Sequence, residues 1–324
     1  MLTLHPAAFK HMPYRQTLMA DPATMAYNAP WFPPDGTIPF PEESWPDWLA
    51  KWTSHEPERF CGYLAAEDGT LVGEVCWHGY GAGMGVVIHA DHRGKGYGAQ
   101  GLRLLIQRAF SHPEIAYLEN NFESSRDPAL QLHRKAGFEE VGPDADGYLV
   151  LRLTREKYQE RLLRSLFDAM CAWETGVPER IHHFIKVHGF ARQIAAQENL
   201  NAATRFILEA AALTHDIGIR PAIEQTGHCP GPLQERLGPP EARPMMERLG
   251  FPPDVIDRVC FLIGHHHTIT DVNGLDWQIL LEADFLVNMV ENQMAPLAVH
   301  QAREAFFRTK EGLHLLNCLS GEPM

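Results

Sequence analysis

The sequence predicts a two-domain α+β protein in which a layer of strands and helices is followed by an all-helical domain. Segments typical of strands alternate with helical segments from Phe60 to Leu153. After Leu153 nearly every segment has helical periodicity. A chain of 324 residues also has room for two domains of roughly 100–200 residues each. We therefore expect a first domain over 1–155, a linker helix over 156–178 and a second domain over 179–324.

Composition and charge exclude several classes of protein. The net charge of −13 argues against a nucleic-acid-binding surface, because a phosphate backbone requires clustered Lys and Arg. No run of about 18 apolar residues occurs, so we expect no membrane-spanning helix. The first residues lack the basic and apolar segments of a signal peptide. We expect a cytoplasmic protein whose six scattered cysteines are reduced and whose partners are small molecules.

The first half is predicted element by element from its periodicity. Residues 30–48 are rich in Pro and Trp, which indicates a loop that either covers a substrate site or packs on a sheet. Alternating apolar residues and helical spacing then predict strands at 71–77, 84–89, 115–118 and 148–151, and helices at 97–110 and 127–136. This order of strands and helices is typical of an α/β or α+β layer.

A glycine-rich stretch, Arg93-Gly94-Lys95-Gly96-Tyr97-Gly98, follows a predicted strand and opens a predicted helix. Glycines permit close approach to the backbone, and free amides at a helix N-terminus bind anions. Gly-Lys-Ser/Thr is absent, so the stretch is not a Walker A loop, and it does not fit the dinucleotide fingerprint. The spacing alone also fits a purely structural turn.

Together with a later segment, Ala129 to Phe138, the pattern Arg93-x-x-Gly96-x-Gly98 resembles the GNAT N-acetyltransferases over roughly residues 1–153. The resemblance implies a mixed β-sheet with helices and transfer of an acetyl group from acetyl-CoA to a small-molecule amine. It implies that the strand at Val87 and Ile88 binds the pantetheine arm. It also implies that the loop binds the pyrophosphate through Arg93, Gly94, Lys95, Gly96, Tyr97 and Gly98.

Two residues are candidates for proton transfer in the first domain. Glu74 lies on the strand before the pantetheine strand, where members of the family often carry a base; the alternative is a carboxylate facing solvent. His133 fills the position of a frequent family tyrosine that protonates the leaving thiolate, and Arg126 fills that of a frequent asparagine. His133 is therefore either a proton donor or an exposed helix residue.

The second half places metal-ligand residues on three helices. His183 shares a face with Val187 and two further apolar residues, and His215-Asp216 ends an apolar helix. Asp284 falls in the middle of an apolar stripe, where an unpaired carboxylate is very costly. A metal ion would explain it, and a Lys or Arg partner is the alternative.

The order His183, His215-Asp216, Asp284 resembles the HD superfamily of metal-dependent phosphohydrolases over about 179–292. The resemblance implies an all-α domain and one divalent ion, Mn, Fe, Co, Ni or Zn, on His183, His215, Asp216 and Asp284. It implies a small phosphoester substrate, with Asp216 and His266 as catalytic residues.

The triplet His265-His266-His267 aligns with extra ligands of two-metal members of the superfamily. Such members also carry a histidine at the start of the preceding helix. Alignment places that position near 238–240, which holds no histidine, so one metal is favoured. Arg220 and His228 are candidate phosphate contacts.

The resulting hypothesis is a bifunctional acetyltransferase and phosphohydrolase. Two alternatives remain: a hydrolase regulated by a non-catalytic acyl-CoA-sensing domain, and a non-enzymatic scaffold with a structural metal. The sequence leaves the acceptor amine, the phosphoester and the oligomeric state open.

Overall fold

The chain divides into two units, Met1–Tyr158 and Gln159–Met324, in the computed structural model, which describes residues 2–28 and 35–321. The helix expected at the boundary runs from Arg155 to Trp173. Within the first unit, Arg155 donates to the carbonyls of Phe110 and Ile115. Residues from Gln159 onward belong to the second unit, so the segment 156–178 is not a separate linker but is divided between the two.

The first unit contains seven strands and the helices that cover them, among its described residues. The strands are β1 (Thr3–Pro6), β2 (Phe60–Ala65), β3 (Leu71–His78), β4 (Gly83–Ile88), β5 (Tyr117–Phe122), β6 (Glu139–Pro143) and β7 (Leu149–Thr154). The helices are α1 (Met12–Ala20), α2 (Pro22–Met25), α3 (Trp45–Thr53), α4 (Tyr97–Phe110) and α5 (Asp127–Ala136).

The strands form two antiparallel ladders, in the order β1-β2-β3-β4 and β5-β7-β6. Alternate residues of a strand face opposite sides of its sheet. Val75 and Trp77 of β3 therefore join the core that contains Leu105 of α4. Cys76 packs against a second core that contains Tyr63 and residues of α1 and α3. Strands β4 and β5 meet where the two ladders adjoin, and this junction positions the first site.

Several predicted bounds differ from the structure. Residues 45–53 form helix α3 instead of a loop, because Pro46 stands in the first helical turn, where its missing N–H costs nothing. Residues 30–34 of the same predicted loop lie outside the described residues. The strand predicted at 115–118 begins at Tyr117 and continues to Phe122. The polar strand β6, whose residues are mostly exposed, lacks the apolar alternation that would have predicted it.

The second unit consists of helices and the loops that join them, with no strand among its described residues. Its helices are α6 (Arg155–Trp173), α7 (Pro178–Gln197), α8 (Ala202–Thr214), α9 (Ile219–Thr226), α10 (Gly231–Leu249), α11 (Pro253–Ile263), α12 (Leu275–Glu291), α13 (Pro296–Phe306) and α14 (Lys310–Ser320). The first four residues of α6, 155–158, belong to the first unit.

Helices α7, α8 and α12 pack against one another and form the centre of this unit. Helix α8 is buried over most of its length, and α12 buries Leu280, Ala283 and their neighbours. Because all three helices are largely apolar where they meet, the few polar side chains that point inward are brought close together. These inward residues make the second site.

None of the described helices is sufficiently long and apolar to cross a lipid bilayer.

Candidate active sites

A cleft of about 700 Å³ lies at the junction of β4 and β5 in the first unit. It is lined by Met84–Ile88 of β4, by Asn120–Phe122 of β5, by the loop before α4, and by residues of α2 and α5. Of the predicted cofactor-binding residues, Val87, Ile88, Arg93, Gly94, Gly96, Tyr97 and Gly98 line this cleft. A narrow, elongated ligand can therefore lie with one end at the loop and the other between the strands.

The loop offers backbone amides to the cleft. Gly94 and Gly96 adopt φ values of +75° and +77°, a region that side chains with a Cβ rarely occupy. Gly96 caps α4, so the first amides of this 14-residue helix have no partner within the helix. A Cβ at Gly94 or Gly96 would meet no close neighbour, so the backbone conformation, not crowding, requires glycine at both positions. The arrangement is suited to an anion such as a diphosphate.

The two basic side chains of the loop are engaged elsewhere. Arg93 donates from its guanidinium to the carbonyls of Thr24 at 2.8 Å, Ala23 at 3.1 Å and Ile88 at 3.2 Å. Lys95 is exposed, and its Nζ donates to the carbonyl of Asp91 at 3.2 Å. Arg93 thus fixes the loop against α2, and Lys95 is the predicted cofactor-binding residue that does not line the cleft.

Glu74 is buried on β3, not exposed to solvent. It pairs in register with Tyr63 of β2 and with Val87 of β4, which lines the cleft. Its carboxylate forms an ion pair with Arg15, whose guanidinium lies 4.1 Å from the ring centroid of Trp48. Sequence reasoning missed Arg15, because nothing in its helical segment marks it as the partner of a residue 59 positions away.

His133 is buried on α5, so the expectation of an exposed helix residue is wrong. Its Nδ1–H donates to the carbonyl of Ala129 at 2.8 Å, and its Nε2 accepts from the amide of Asn120 at 3.0 Å. Burial lowers the pKa of His133, and the charge of Arg126 adds to this effect. A neutral ring bound in this way has no free N–H to offer a thiolate, so the geometry argues against the predicted proton donor and assigns His133 to positioning Asn120.

In the second unit, the four predicted metal ligands converge from three helices. The Nε2 atoms of His183 on α7 and His215 after α8 are 3.2 Å apart. Asp284 Oδ1 on α12 lies 3.1 Å from the first and 3.5 Å from the second. Asp216 Oδ2 lies 3.4 Å from each of the two Nε2 atoms. His183, His215 and Asp284 are buried, and Asp216 is partly exposed.

The hydrogen bonds on the outer side of this cluster fix which ring atoms face inward. His183 Nδ1 donates to Glu291 Oε2 at 2.9 Å, and His215 Nδ1 donates to the carbonyl of Ala212 at 3.0 Å. Each Nδ1 is thus engaged on the outer side, and each Nε2 on the inner side can take up either a proton or a metal ion. Two such nitrogens and two carboxylates form a donor set suited to a divalent transition metal ion.

The charged groups in this cluster alter one another's pKa values. Burial would lower the pKa of His183, but the hydrogen bond to Asp284 and the charges of both aspartates outweigh burial and raise the pKa to about 9. Burial would raise the pKa of Asp284, but hydrogen bonds from His183 and His215 hold it far below its usual value. An environment that favours a proton on the inward nitrogens also favours a metal cation at the same place.

The three consecutive histidines after α11 lie in three different environments. His266 is buried, with Nε2 3.6 Å from Asp216 Oδ1. His265 stacks on Phe261, with ring centroids 4.3 Å apart, and donates to its carbonyl. His267 is exposed, and its Nε2 lies 3.2 Å from Gln234 Oε1. Only His266 among the three is in contact with the predicted ligands, within the part of the chain that the structure describes.

Gln234 on α10 is a site residue that sequence reasoning missed. Its side-chain amide donates to Asp216 Oδ1 and lies 3.2 Å from His266 Nε2. The sequence comparison placed the corresponding position near 238–240, but α10 begins at Gly231 and continues through three prolines. Position 234 therefore faces the site, and the glutamine found there agrees with the absence of a further histidine.

The two candidate phosphate contacts, Arg220 and His228, interact with residues other than the four predicted metal ligands. The guanidinium of Arg220 lies 5.4 Å from the ring centroid of Trp173, and exposed His228 donates from Nδ1 to the carbonyl of Thr226 at 2.9 Å. Neither makes a hydrogen bond or ion pair with the four predicted ligands in residues 2–28 and 35–321.

Comparison with known proteins identifies one family in the chain. Residues 24–138 match the model of the acetyltransferase (GNAT) family. This span includes β4, the glycine-rich loop, α4, β5 and α5, which supply most of the lining of the cleft. The first unit therefore contains a GNAT acetyltransferase domain. No curated protein matches the chain.

Among the solved structures that match the chain are two acetyltransferases bound to coenzyme A. A spermidine N-acetyltransferase from Vibrio cholerae, in complex with CoA and spermine, is 17% identical, with a TM-score of 0.41. The match covers 48% of this chain and 97% of that one. An aminoglycoside acetyltransferase in complex with coenzyme A is 19% identical, with a TM-score of 0.40, and the match covers 49% of this chain and 98% of that one.

Proposed function

We propose that the chain is bifunctional: its first unit transfers the acetyl group of acetyl-CoA to a small-molecule amine, and its second unit hydrolyses a small phosphoester with one divalent metal ion. The family match over the elements of the cleft supports the first activity. The convergence of two imidazole Nε2 atoms and two carboxylates supports the second.

For acetyl transfer, the loop amides and the cleft hold the acyl donor, which supplies a thioester carbonyl. Glu74 lies one strand away from the cleft and is the carboxylate suited to receive the proton that the amine releases. Its ion pair with Arg15 holds it in place. The proton that a leaving thiolate needs would come from the solvent or the acceptor, because His133 has no free N–H.

This activity is tested by adding acetyl-CoA and a panel of amines to the full chain and measuring acetylated product by mass spectrometry. We expect at least one amine to be acetylated. Glu74→Gln should reduce its turnover by roughly 10²–10⁴-fold, the usual contribution of a general base, with CoA binding unchanged. Binding of acetyl-CoA without transfer to any amine would instead favour the sensor alternative.

For hydrolysis, His183, His215, Asp216 and Asp284 would hold the metal ion, which when bound polarises a phosphoryl oxygen and acidifies a water molecule. Glu291 fixes the ring of His183 and is itself held by Lys186, whose Nζ lies 2.8 Å from Glu291 Oε1. His266 lies beside Asp216, where it can contact a phosphate oxygen or the attacking water. Gln234 orients Asp216 from the same side.

The second activity is tested by metal analysis of the purified protein, followed by phosphate release from a panel of phosphomonoesters and nucleotides. We expect about one divalent ion per chain and hydrolysis that stops when a chelator removes it. Stoichiometric metal without hydrolysis of any ester would favour the scaffold alternative. Hydrolysis that persists in metal-free protein would contradict the proposal.

A further inference from the structure

The cleft of the first unit contains an arginine that forms no ion pair among the described residues. Arg126 precedes α5, is half-buried and lines the cleft. Its guanidinium carbon lies 5.0 Å from the ring centroid of Tyr27 and 5.9 Å from that of Phe122. Throughout residues 2–28 and 35–321, no carboxylate forms an ion pair with it.

A guanidinium keeps its charge in proteins, and partial removal from water is unfavourable without an anion to compensate. The two aromatic rings hold the group in place by cation–π contact but do not neutralise it. Burial lowers the pKa of Arg126; Tyr27 and the carboxylate of Glu123 act in the opposite direction, and the charge of Arg93 adds to the effect of burial. Arg126 lines the same cleft as the glycine-rich loop and is held in a position that an anionic ligand can use.

The other basic groups beside the loop are less available. Arg93 is held by three backbone carbonyls, and Lys95 lies outside the lining of the cleft. The chain as a whole carries a net charge of −13, which repels an anionic acyl donor unless a local cation compensates. Among the residues that the structure describes, Arg126 is the remaining cation that both lines the cleft and is free to form a bidentate contact with phosphate oxygens.

We propose that Arg126 is a binding residue for the diphosphate of the acyl-CoA, completing from α5 the anion site that the loop amides form from α4. The inference rests on the proposed use of acetyl-CoA. It predicts that the diphosphate is held from two sides of the cleft, by backbone amides on one and by a guanidinium on the other.

The test measures dissociation constants of three ligands for the full chain by titration: CoA, 3′-dephospho-CoA and pantetheine. The second retains the diphosphate, and the third has no phosphate. Arg126→Gln should weaken CoA and 3′-dephospho-CoA by the same factor, about tenfold or more, as expected for a hydrogen bond to a charged group. The affinity of Arg126→Gln for pantetheine should equal that of the wild type. Arg126→Lys should retain part of the wild-type affinity for CoA.

The matched control is Arg134→Gln, on the same helix. Arg134 pairs with Glu140 on the surface and does not line the cleft, so its loss should leave all three dissociation constants unchanged. Circular dichroism melting curves establish that each variant is folded.

Three results would overturn the inference while leaving acetyl-CoA use intact. The first is an unchanged affinity of Arg126→Gln for CoA. The second is a loss of affinity for CoA but not for 3′-dephospho-CoA, which would assign the contact to the 3′-phosphate. The third is an equal loss of affinity for CoA and for pantetheine. A wild-type chain that fails to bind CoA would instead refute the proposed acetyltransferase, and the inference with it.

Discussion

The two units build their candidate sites from different parts of the chain. In the first, the anion site is made of backbone amides, held in place by Gly94 and Gly96 in a left-handed conformation. In the second, the site is made of side chains, such as those of His183 and Asp284, brought together by the packing of three helices. A backbone site is therefore sensitive to conformation, whereas a side-chain site is sensitive to the identity of each residue.

The two sites also differ in the kind of charge that they place at the ligand. The loop amides provide partial positive charge for an anion without burying an ionised group. The helical unit places one buried and one partly buried carboxylate around the same two histidines, which is unfavourable unless a cation compensates. We therefore expect the loss of its ligand to destabilise the second unit more than the first.

The largest effect should come from Asp216→Ala. This change removes one ligand of the proposed metal site and the partner of both Gln234 and His266. Loss of an outer-sphere partner typically reduces metal affinity by about 10–100-fold, and loss of a ligand should exceed this. We expect no bound metal and no phosphate release, with CoA affinity unchanged. Metal content and phosphate release measure the first two, and full metal occupancy in the variant would contradict the site.

Gly96→Asp should have the next largest effect, confined to the first unit. The substitution places an L-residue at a φ of +77° and adds a negative charge at the amides that would face a diphosphate. We expect CoA affinity to fall by about 100-fold, which corresponds to roughly 2.8 kcal/mol.

A matched control for Gly96→Asp is Gly147→Asp, in an exposed turn of the same unit with a φ of +84°. It introduces the same side chain and a similar backbone strain away from the cleft. CoA affinity should stay at the wild-type value, while the melting temperature falls to a similar extent in both variants. Equal loss of CoA binding in the two would attribute the effect to folding.

The sequence was sufficient for the parts of both sites that depend on local pattern. The helices 97–110 and 127–136 have the predicted bounds, since each is strongly amphipathic and punctuated by glycine. The convergence of His183, His215, Asp216 and Asp284 follows from inward-facing polar residues on apolar helices, a pattern visible in the order of residues.

The remaining features depend on contacts between distant parts of the chain. The ion pair of Glu74 with Arg15 and the hydrogen bond of His133 with Asn120 join residues from separate elements, so periodicity does not indicate them. The alignment places the start of the helix before α11 near 238–240, whereas α10 begins at Gly231 and accommodates its internal prolines. Gln234 therefore lies outside the position that the alignment indicates.

A smaller effect is expected for Gln234→Ala. Its amide orients Asp216 without being one of the four predicted ligands, so its removal should weaken metal binding by about 10–100-fold and leave the fold intact. Metal titration of the chelated protein measures the change. Gln193→Ala is a suitable control, because Gln193 is exposed and bonds only to Glu311 among the described residues. Equal metal affinity in the two variants would show that Gln234 has no positioning role.

The smallest effect on the site should come from His265→Ala, although His265 is adjacent to His266. Its ring stacks on Phe261 and lies edge-on to Trp277, with centroids 4.3 Å and 5.4 Å away. Loss of these ring contacts should cost about 0.5–1.5 kcal/mol of stability, and metal content should be unchanged. His266→Ala should show the opposite behaviour, with phosphate release strongly reduced, because its Nε2 faces Asp216. Melting temperature, metal content and phosphate release of the two variants separate a packing histidine from a site histidine, and a loss of metal in His265→Ala would assign it to the site instead.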